Sequence, residues 1–263
     1  MSIPAQFDDR LCLPLIAAPM FLVSGPELVI EACQAGVIGA FPTANCRTVE
    51  QLDDWFAQIT RRLSDFRAAH PERPVAPACA NLIVHRSNSR LEDDLGLVRK
   101  HRIELVIASV GSPHAIIEPI HDYGGVVYAD VASMRHVEKA LAAGSDGLIL
   151  LTAGAGGQTG WANPFAFVRQ VREVFDGPLV LAGGVADGTA LHAAEALGCN
   201  LAYMGTRFIA TQESMAPEAY KRLIVGTNMD GITLTKAFSG LETNMIRQSI
   251  EAAGLDPDKL PER

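Results

Sequence analysis

The sequence predicts an α/β chain folded as a (β/α)8 TIM barrel with a C-terminal helical extension. Three observations lead there. Short apolar runs recur eight times, helical segments separate them, and no shift in composition marks a domain boundary. A short continuous apolar run reads as a strand buried on both faces of a parallel sheet. Eight βα units within about 210 residues is the barrel count. A doubly wound open sheet is the alternative, usually with fewer strands in this length. Residues 1–263 are therefore read as one domain.

The strands are expected at residues 15–19, 37–41, 75–82, 105–110, 126–131, 147–152, 179–184 and 201–208. Helices are expected at 26–35, 49–69, 89–101, 114–123, 133–143, 164–175 and 189–197. Ser24 ahead of Gly25-Pro26, Asn163 ahead of Pro164 and Asp187 ahead of Gly188 supply a capping oxygen or a proline where a helix begins. Gly36, Gly144 and Gly198 follow helical runs and suit left-handed C-terminal caps. Beyond residue 208, the segment 217–225 reads as the eighth helix and 233–253 as the helical extension.

Composition narrows the function. Apolar residues make up 48% and charged residues 20%, which excludes a disordered chain. Thirty acidic against 22 basic residues give a net charge of −8. Without a basic run, such a chain is a poor partner for nucleic acid or an anionic membrane. No apolar stretch reaches membrane-spanning length, and residues 1–10 carry no signal pattern. The five cysteines are scattered, with no metal-ligand spacing, so they are expected reduced and buried in a cytoplasmic protein.

In a barrel of this kind, sites sit at the C-terminal ends of the strands. Gly183-Gly184 and Gly205-Thr206 follow the last two predicted strands. Backbone without a Cβ can approach a phosphate and aim N–H groups at it. A helix starting after Gly205-Thr206 would add its positive end. The bland alternative is that these glycines only make tight turns. Residues 154–160 carry four glycines in seven positions, either a plain mobile loop or one that lies over a flat ring. They match neither the Walker nor the dinucleotide spacing. Asn81, at the end of the third strand, could bind a ligand or merely cap the strand. His85 lies just beyond on the same face; His114, His121, His136 and His192 are dispersed. No nucleophile elbow is present, and Lys139 and Lys236 sit on predicted helices, away from strand ends where a Schiff base would form.

Taken together, the blocks 17–20, 81–82, 154–160, 182–188 and 204–208 resemble the nitronate monooxygenase (2-nitropropane dioxygenase-like) flavoproteins. The likeness runs from about residue 13 to 213. Related flavin-dependent enoyl and quinone reductases share these blocks, so they speak to cofactor more than to substrate. The resemblance implies FMN, bound without a covalent link on the C-terminal face. Carried over by position, Gly183, Gly184, Gly205 and Thr206 would hold the phosphate, with Ala182 beside them. Pro19 and Met20 would lie along the ring, Asn81 would hydrogen-bond it, and Gly156 and Gly157 would line the substrate side. Valine in place of Gly183 or Gly205 would then fill the phosphate's space and evict FMN.

Two positions depart from the family pattern. Gln158 stands where many members have a histidine near the flavin. Glutamine cannot take a proton near neutral pH, but its amide can donate to an anion. That is compatible with a nitronate, which has already lost its proton, and unfavourable for a neutral nitroalkane. Asp130 stands at a strand end where relatives more often carry an uncharged residue. A carboxylate beside the ring disfavours the anionic reduced flavin unless it is paired or protonated. The expectation is FMN-dependent oxidation of alkyl nitronates with O2, with Gln158 as the catalytic residue and Asp130 at the cofactor. The alternatives are an NAD(P)H-dependent reductase of quinones or enoyl thioesters, and a flavin-binding protein without turnover. A small-molecule substrate, O2 and a second copy of the chain are the expected partners.

Overall fold

The protein is described by a computed structural model covering residues 5–261. Eight parallel strands close into a barrel: β1 (Leu15–Ala17), β2 (Ile38–Pro42), β3 (Ala78–Ile83), β4 (Leu105–Ser109), β5 (Val126–Val131), β6 (Gly147–Leu151), β8 (Leu179–Ala182) and β9 (Leu201–Met204). Pairing of Leu15, Ile16 and Ala17 with Ala202, Tyr203 and Met204 shuts the ring. A ninth, two-residue strand, β7 (Gly157–Gln158), lies outside it.

Strand alternation sorts the side chains into two cores. Inward-facing Ile16, Ile38, Cys79, Leu105, Ile107, Tyr128, Ile149 and Val180 fill the barrel. Phe7 of the short helix α1 (Ala5–Asp8) is fully buried and belongs to the same cluster. Outward-facing residues meet the helix shell. That shell comprises α2 (Pro26–Gln34), α3 (Val49–Ala69), α4 (Leu91–Lys100), α5 (His114–His121), α6 (Met134–Ala142), α7 (Pro164–Arg172) and α8 (Gly188–Leu197).

The expected barrel and its helices are present, with several differences at the boundaries. Asn163 and Asp187 do cap α7 and α8, accepting from Phe165 N and Ala190 N at 2.9 Å. Ser24 does not cap α2; Gly25 is the N-cap residue, and Ser24 bonds inside the preceding loop. Thr48 and Ser133 cap α3 and α6 instead. Gly36, Gly144 and Gly198 have positive φ of 73°, 93° and 112°, as expected of left-handed caps. The third strand starts at Ala78 rather than at 75, beyond Pro77, which has no N–H for the ladder. The last barrel strand stops at Met204, and Thr206–Ile209 form a short helix, α9. Four of the five cysteines are buried, Cys12 is exposed, and none is in a disulfide.

The largest departure lies in the C-terminal extension. After helix α10 (Glu218–Gly226), residues 233–253 were expected to be helical. They form a hairpin, β10 (Ile232–Thr235) and β11 (Thr243–Ile246), followed by helix α11 (Arg247–Ala252). The reason is visible in Ile232-Thr233-Leu234-Thr235, where apolar and polar residues alternate with a period of two and three of the four are β-branched. β11 also pairs with β7, so the extension forms a small antiparallel sheet with the glycine-rich loop.

Candidate active site

The C-terminal mouth of the barrel is built in two halves. The first consists of backbone at the ends of β6, β8 and β9. Thr152, fully buried after β6, reaches across to β8, donating both N–H and Oγ1 to the Ala182 carbonyl at 2.9 Å. Gly183 passes so close that a Cβ there would overlap Thr152 Oγ1, and its φ is +142°. Gly184, next along, has φ +72°, and a Cβ built on it would meet nothing within 4 Å. Gly154 faces it: a Cβ at Gly154 would lie 3.9 Å from the Gly184 nitrogen. A Cβ at Gly156 would lie 2.9 Å from Thr206 Oγ1. A Cβ at Gly205 would lie 3.4 Å from Met20 Sδ and 3.7 Å from Ala18 Cβ, so the loop after β1 belongs to the same group.

That loop is itself fixed from below. Asn45, 7% exposed, donates to the carbonyls of Met20 and Ser24 at 3.0 and 2.8 Å and accepts from Leu22 N at 2.8 Å. Ser24 Oγ accepts from Met20 N at 3.0 Å. Pro19 and Met20 are thus presented, half-buried, on a held turn.

The glycine-rich loop is neither free nor flat. Its residues Gly157 and Gln158 pair with Asn244 and Thr243 of β11. Asn244 Nδ2 donates to the Ala155 carbonyl at 2.8 Å, Thr159 N to the Glu242 carbonyl at 3.0 Å, and Thr159 Oγ1 to the Thr152 carbonyl at 2.9 Å. A Cβ at Gly160 would overlap the Leu151 carbonyl, which ties the loop's end to β6. Gln158 is exposed on this edge.

The second half is made of side chains. Alternation turns Asn81, Ser109 and Asp130 inward at the ends of the adjacent strands β3, β4 and β5. Asn81 Nδ2 donates to Ser109 Oγ, and Ser109 Oγ–H donates to Asp130 Oδ2. Asp130 Oδ1 is buried with no partner, although the residue as a whole is only half-buried. Burial pushes the Asp130 carboxyl up to about 6, and the Ser109 bond opposes this. Tyr203 of β9 faces the same space, its phenol raised by burial and then by the charge of Asp130. Val110, directly after Ser109, has φ +57°, a strained conformation for a β-branched residue.

The structure therefore brings Ala182, Gly183, Gly184, Gly156, Gly205, Thr206 and Met20 together, and gathers Asn81 with Asp130 opposite them. His85 is exposed on the loop beyond β3, where its Nδ1 lies 2.8 Å from Ser87 Oγ. Ser109, Thr152, Asn45 and Asn244 escaped the sequence reading. For Ser109 a signal existed: it is the inward position two residues after Ile107. Two open depressions lie elsewhere and hold none of these groups. One, of about 520 Å³, lies between Lys236, Glu242 and Asp258; the other, of about 570 Å³, lies between Arg10, Arg67 and His70. Among the described residues, no helix is long and apolar enough to cross a membrane.

The family model for nitronate monooxygenase matches residues 9–256. The chain belongs to the nitronate monooxygenase family. Members are flavoproteins. A nitronate monooxygenase of Paraburkholderia phytofirmans is 27% identical over 281 residues, covering 93% of this chain and 76% of the relative. A (3aS,4S,5R,7aS)-5-hydroxy-7a-methyl-1-oxo-octahydro-1H-indene-4-carboxyl-CoA dehydrogenase of Rhodococcus jostii is also 27% identical, over 237 residues. That match covers 90% of this chain but only 63% of the relative, so the chain spans less than two thirds of that protein's length. Among solved structures, FabK from Thermotoga maritima superposes with a TM-score of 0.81 at 22% identity, covering 98% of this chain and 86% of FabK. A nitroalkane oxidase from Streptomyces ansochromogenes gives 0.77 at 24% identity, covering 94% and 80%. At these identities the structural matches speak for the fold, and family membership rests on the sequence match.

Proposed function

We propose that this chain is an FMN-dependent oxidoreductase that oxidises alkyl nitronates with O2 to a carbonyl compound and nitrite. The observation that carries the reading is the convergence of bare backbone from β6, β8 and β9 on one end of the barrel, in a member of a flavoprotein family. The residues present fit FMN. Gly184 leaves open space where any other residue would carry a side chain, and Asp130 Oδ1 is a buried polar atom without a partner. Gly183, Gly184, Gly205 and Thr206 would hold the phosphate, beside Ala182, through N–H groups and the Thr206 hydroxyl. Pro19 and Met20 would support the ring, Asn81 and Asp130 would offer it polar contacts, and Gly156 and Gly157 would line the substrate side.

When bound, the flavin supplies the acceptance of electrons from the nitronate and their delivery to O2. The chain supplies binding and charge. The Gln158 amide, on a strand-paired edge, donates to the nitronate oxygens and takes no proton from the substrate. Bonds from Asn244 and Thr159 pin the main chain that carries Gln158. The chain's net charge of −8 gives no long-range attraction for an anion, so substrate binding depends on these local donors.

The test is oxygen uptake with propionate-3-nitronate by purified, yellow, FMN-containing protein. Uptake no faster than with free FMN removes this substrate class. The rival reading is an NAD(P)H-dependent reductase of quinones or enoyl thioesters, favoured by the Rhodococcus relative whose name specifies a carboxyl-CoA dehydrogenase. It requires NADH or NADPH to bleach the flavin absorbance without air. The free cysteines suit a reducing compartment, and we place the protein in the cytoplasm.

A further inference from the structure

The hairpin beyond the barrel carries a strand with one unused side. Its antiparallel sheet runs β10-β11-β7, so among the described residues β10 pairs on one side only, with β11. An unpaired edge offers a row of N–H and C=O groups to any strand that reaches it, and proteins usually blunt such edges with charge, proline or a bulge. Ile232-Thr233-Leu234-Thr235 contains no charge and no proline, and it pairs with Thr243–Ile246 in regular register at all four positions.

Its side chains are also turned the wrong way for a strand that ends in water. A half-solvated antiparallel strand buries its apolar residues and exposes its polar ones. In β10 the order is reversed: Ile232 and Leu234 are 38% and 56% exposed, while Thr233 and Thr235 are half-buried. The strand sits in an apolar stretch. Fifteen large apolar side chains are exposed among the described residues, and six of them, Val225, Met229, Ile232, Leu234, Phe238 and Leu241, fall within residues 225–241. Single exposed apolar residues are ordinary, but such a concentration marks a contact surface.

Symmetry identifies what covers it. Copies of one chain associate most often about a two-fold axis, and a strand edge paired with itself across that axis is antiparallel. An axis perpendicular to the sheet passes between equivalent residues, so one residue of β10 lies opposite its own copy. Centring on Thr233 sets Ile232 opposite Leu234 of the second copy, twice over, and brings Asp230 to Lys236 of the second copy just past the strand ends. Both of these charged residues are exposed. Centring on Leu234 would set Ile232 against Lys236, and centring on Ile232 would set Leu234 against Asp230. Only the Thr233 register joins apolar to apolar and acid to base, the pairs that stabilise neighbouring strands.

We infer that this face is the contact between two copies of the chain, with β10 pairing antiparallel to β10 of the second copy in the register centred on Thr233. The two hairpins then form one six-stranded sheet, with a glycine-rich loop and its Gln158 at each outer edge. The inference does not depend on the substrate or on flavin turnover.

The experiment is light scattering after size-exclusion chromatography of the full chain at micromolar concentration. The wild type should have twice the 28.1 kDa mass of one chain. Leu234→Lys puts a charge on an already exposed position, so it should keep the wild-type circular dichroism spectrum yet show the mass of a single chain. A wild type of single-chain mass, or a Leu234→Lys protein that stays dimeric, would overturn the inference. Cysteine crosslinking reads the register, in a Cys12→Ser background that removes the exposed native thiol. Thr233→Cys should form a disulfide between copies on oxidation, because the two thiols face each other directly. Thr235→Cys, opposite Gly231 of the second copy, should not. Crosslinking at Thr235→Cys, or none at Thr233→Cys, would overturn the pairing.

Discussion

The two halves of the barrel mouth are made of different material. At β6, β8 and β9 the surface is largely glycine main chain, with Gly183, Gly156 and Gly205 lying close to the side chains of Thr152, Thr206 and Met20. At β3, β4 and β5 it is three side chains in a hydrogen-bonded row. The first half admits few substitutions, because close neighbours constrain Gly183 and Gly156 and a left-handed backbone constrains Gly184. The second is adjustable, because one hydroxyl or one carboxylate can change without moving a strand. A phosphate calls for the first kind of surface and polar contacts to a ring for the second.

The comparison breaks most sharply at Gly183. A side chain there would overlap Thr152 Oγ1 at φ +142°, so Gly183→Val should cost about 3–5 kcal/mol of stability from strain and overpacking. Thermal unfolding of the flavin-free protein measures this. The sequence alone suggested that valine here would simply fill the phosphate's space; the structure shows that it would first disturb β6.

On the side-chain half, Asp130 should weaken the fold at neutral pH. Its folded pKa, about 6, lies above the ordinary 3.8, so the folded state holds the proton more tightly than the unfolded state. Stability is therefore highest below the ordinary value and falls as pH rises through that window. Asp130→Asn should be as stable as the wild type near pH 3.5 and more stable above pH 6, by up to about 3 kcal/mol. Melting temperatures across pH 3.5–8 test this, and a constant offset at all pH values would sink it.

Gly184 separates cradle from scaffold. Gly184→Ala meets open space and carries only the left-handed backbone cost of about 1–2 kcal/mol. Its FMN affinity should nevertheless fall about tenfold or more, a loss of about 1.4 kcal/mol read by fluorescence titration. Wild-type affinity would place the phosphate elsewhere. The smallest effect is expected at the hairpin. Asn244→Ala removes one bond to the Ala155 carbonyl, worth about 1 kcal/mol, and should loosen the glycine-rich loop. Faster amide exchange at residues 154–158 is the readout.

Much of this arrangement was legible beforehand. Buried strands recur at the right spacing, and Gly183, Gly184 and Gly205 follow the last two barrel strands, where we propose the phosphate cradle. Capping by Asn163 and Asp187 is a local matter of side-chain oxygens and nearby N–H groups, so reading it needed no third dimension. The bond from Asn244 to Ala155 joins residues 89 positions apart, and nothing near either of them announces it. The hairpin is not legible in the sequence because its alternation spans only four residues before a turn, too short to outweigh the helical pattern of the whole segment.

The sequence by itself determined the barrel and its helix shell, and it placed the glycines of the proposed phosphate cradle after the last two barrel strands. Those follow from periodicity and from glycine, properties carried by each residue and its near neighbours. Only the tertiary structure decided that Ser109 links Asn81 to Asp130, that the C-terminal hairpin pairs with the glycine-rich loop, and that Tyr203 faces Asp130 across the barrel. Each of these depends on which distant strands lie next to one another, and closure of the ring sets that adjacency.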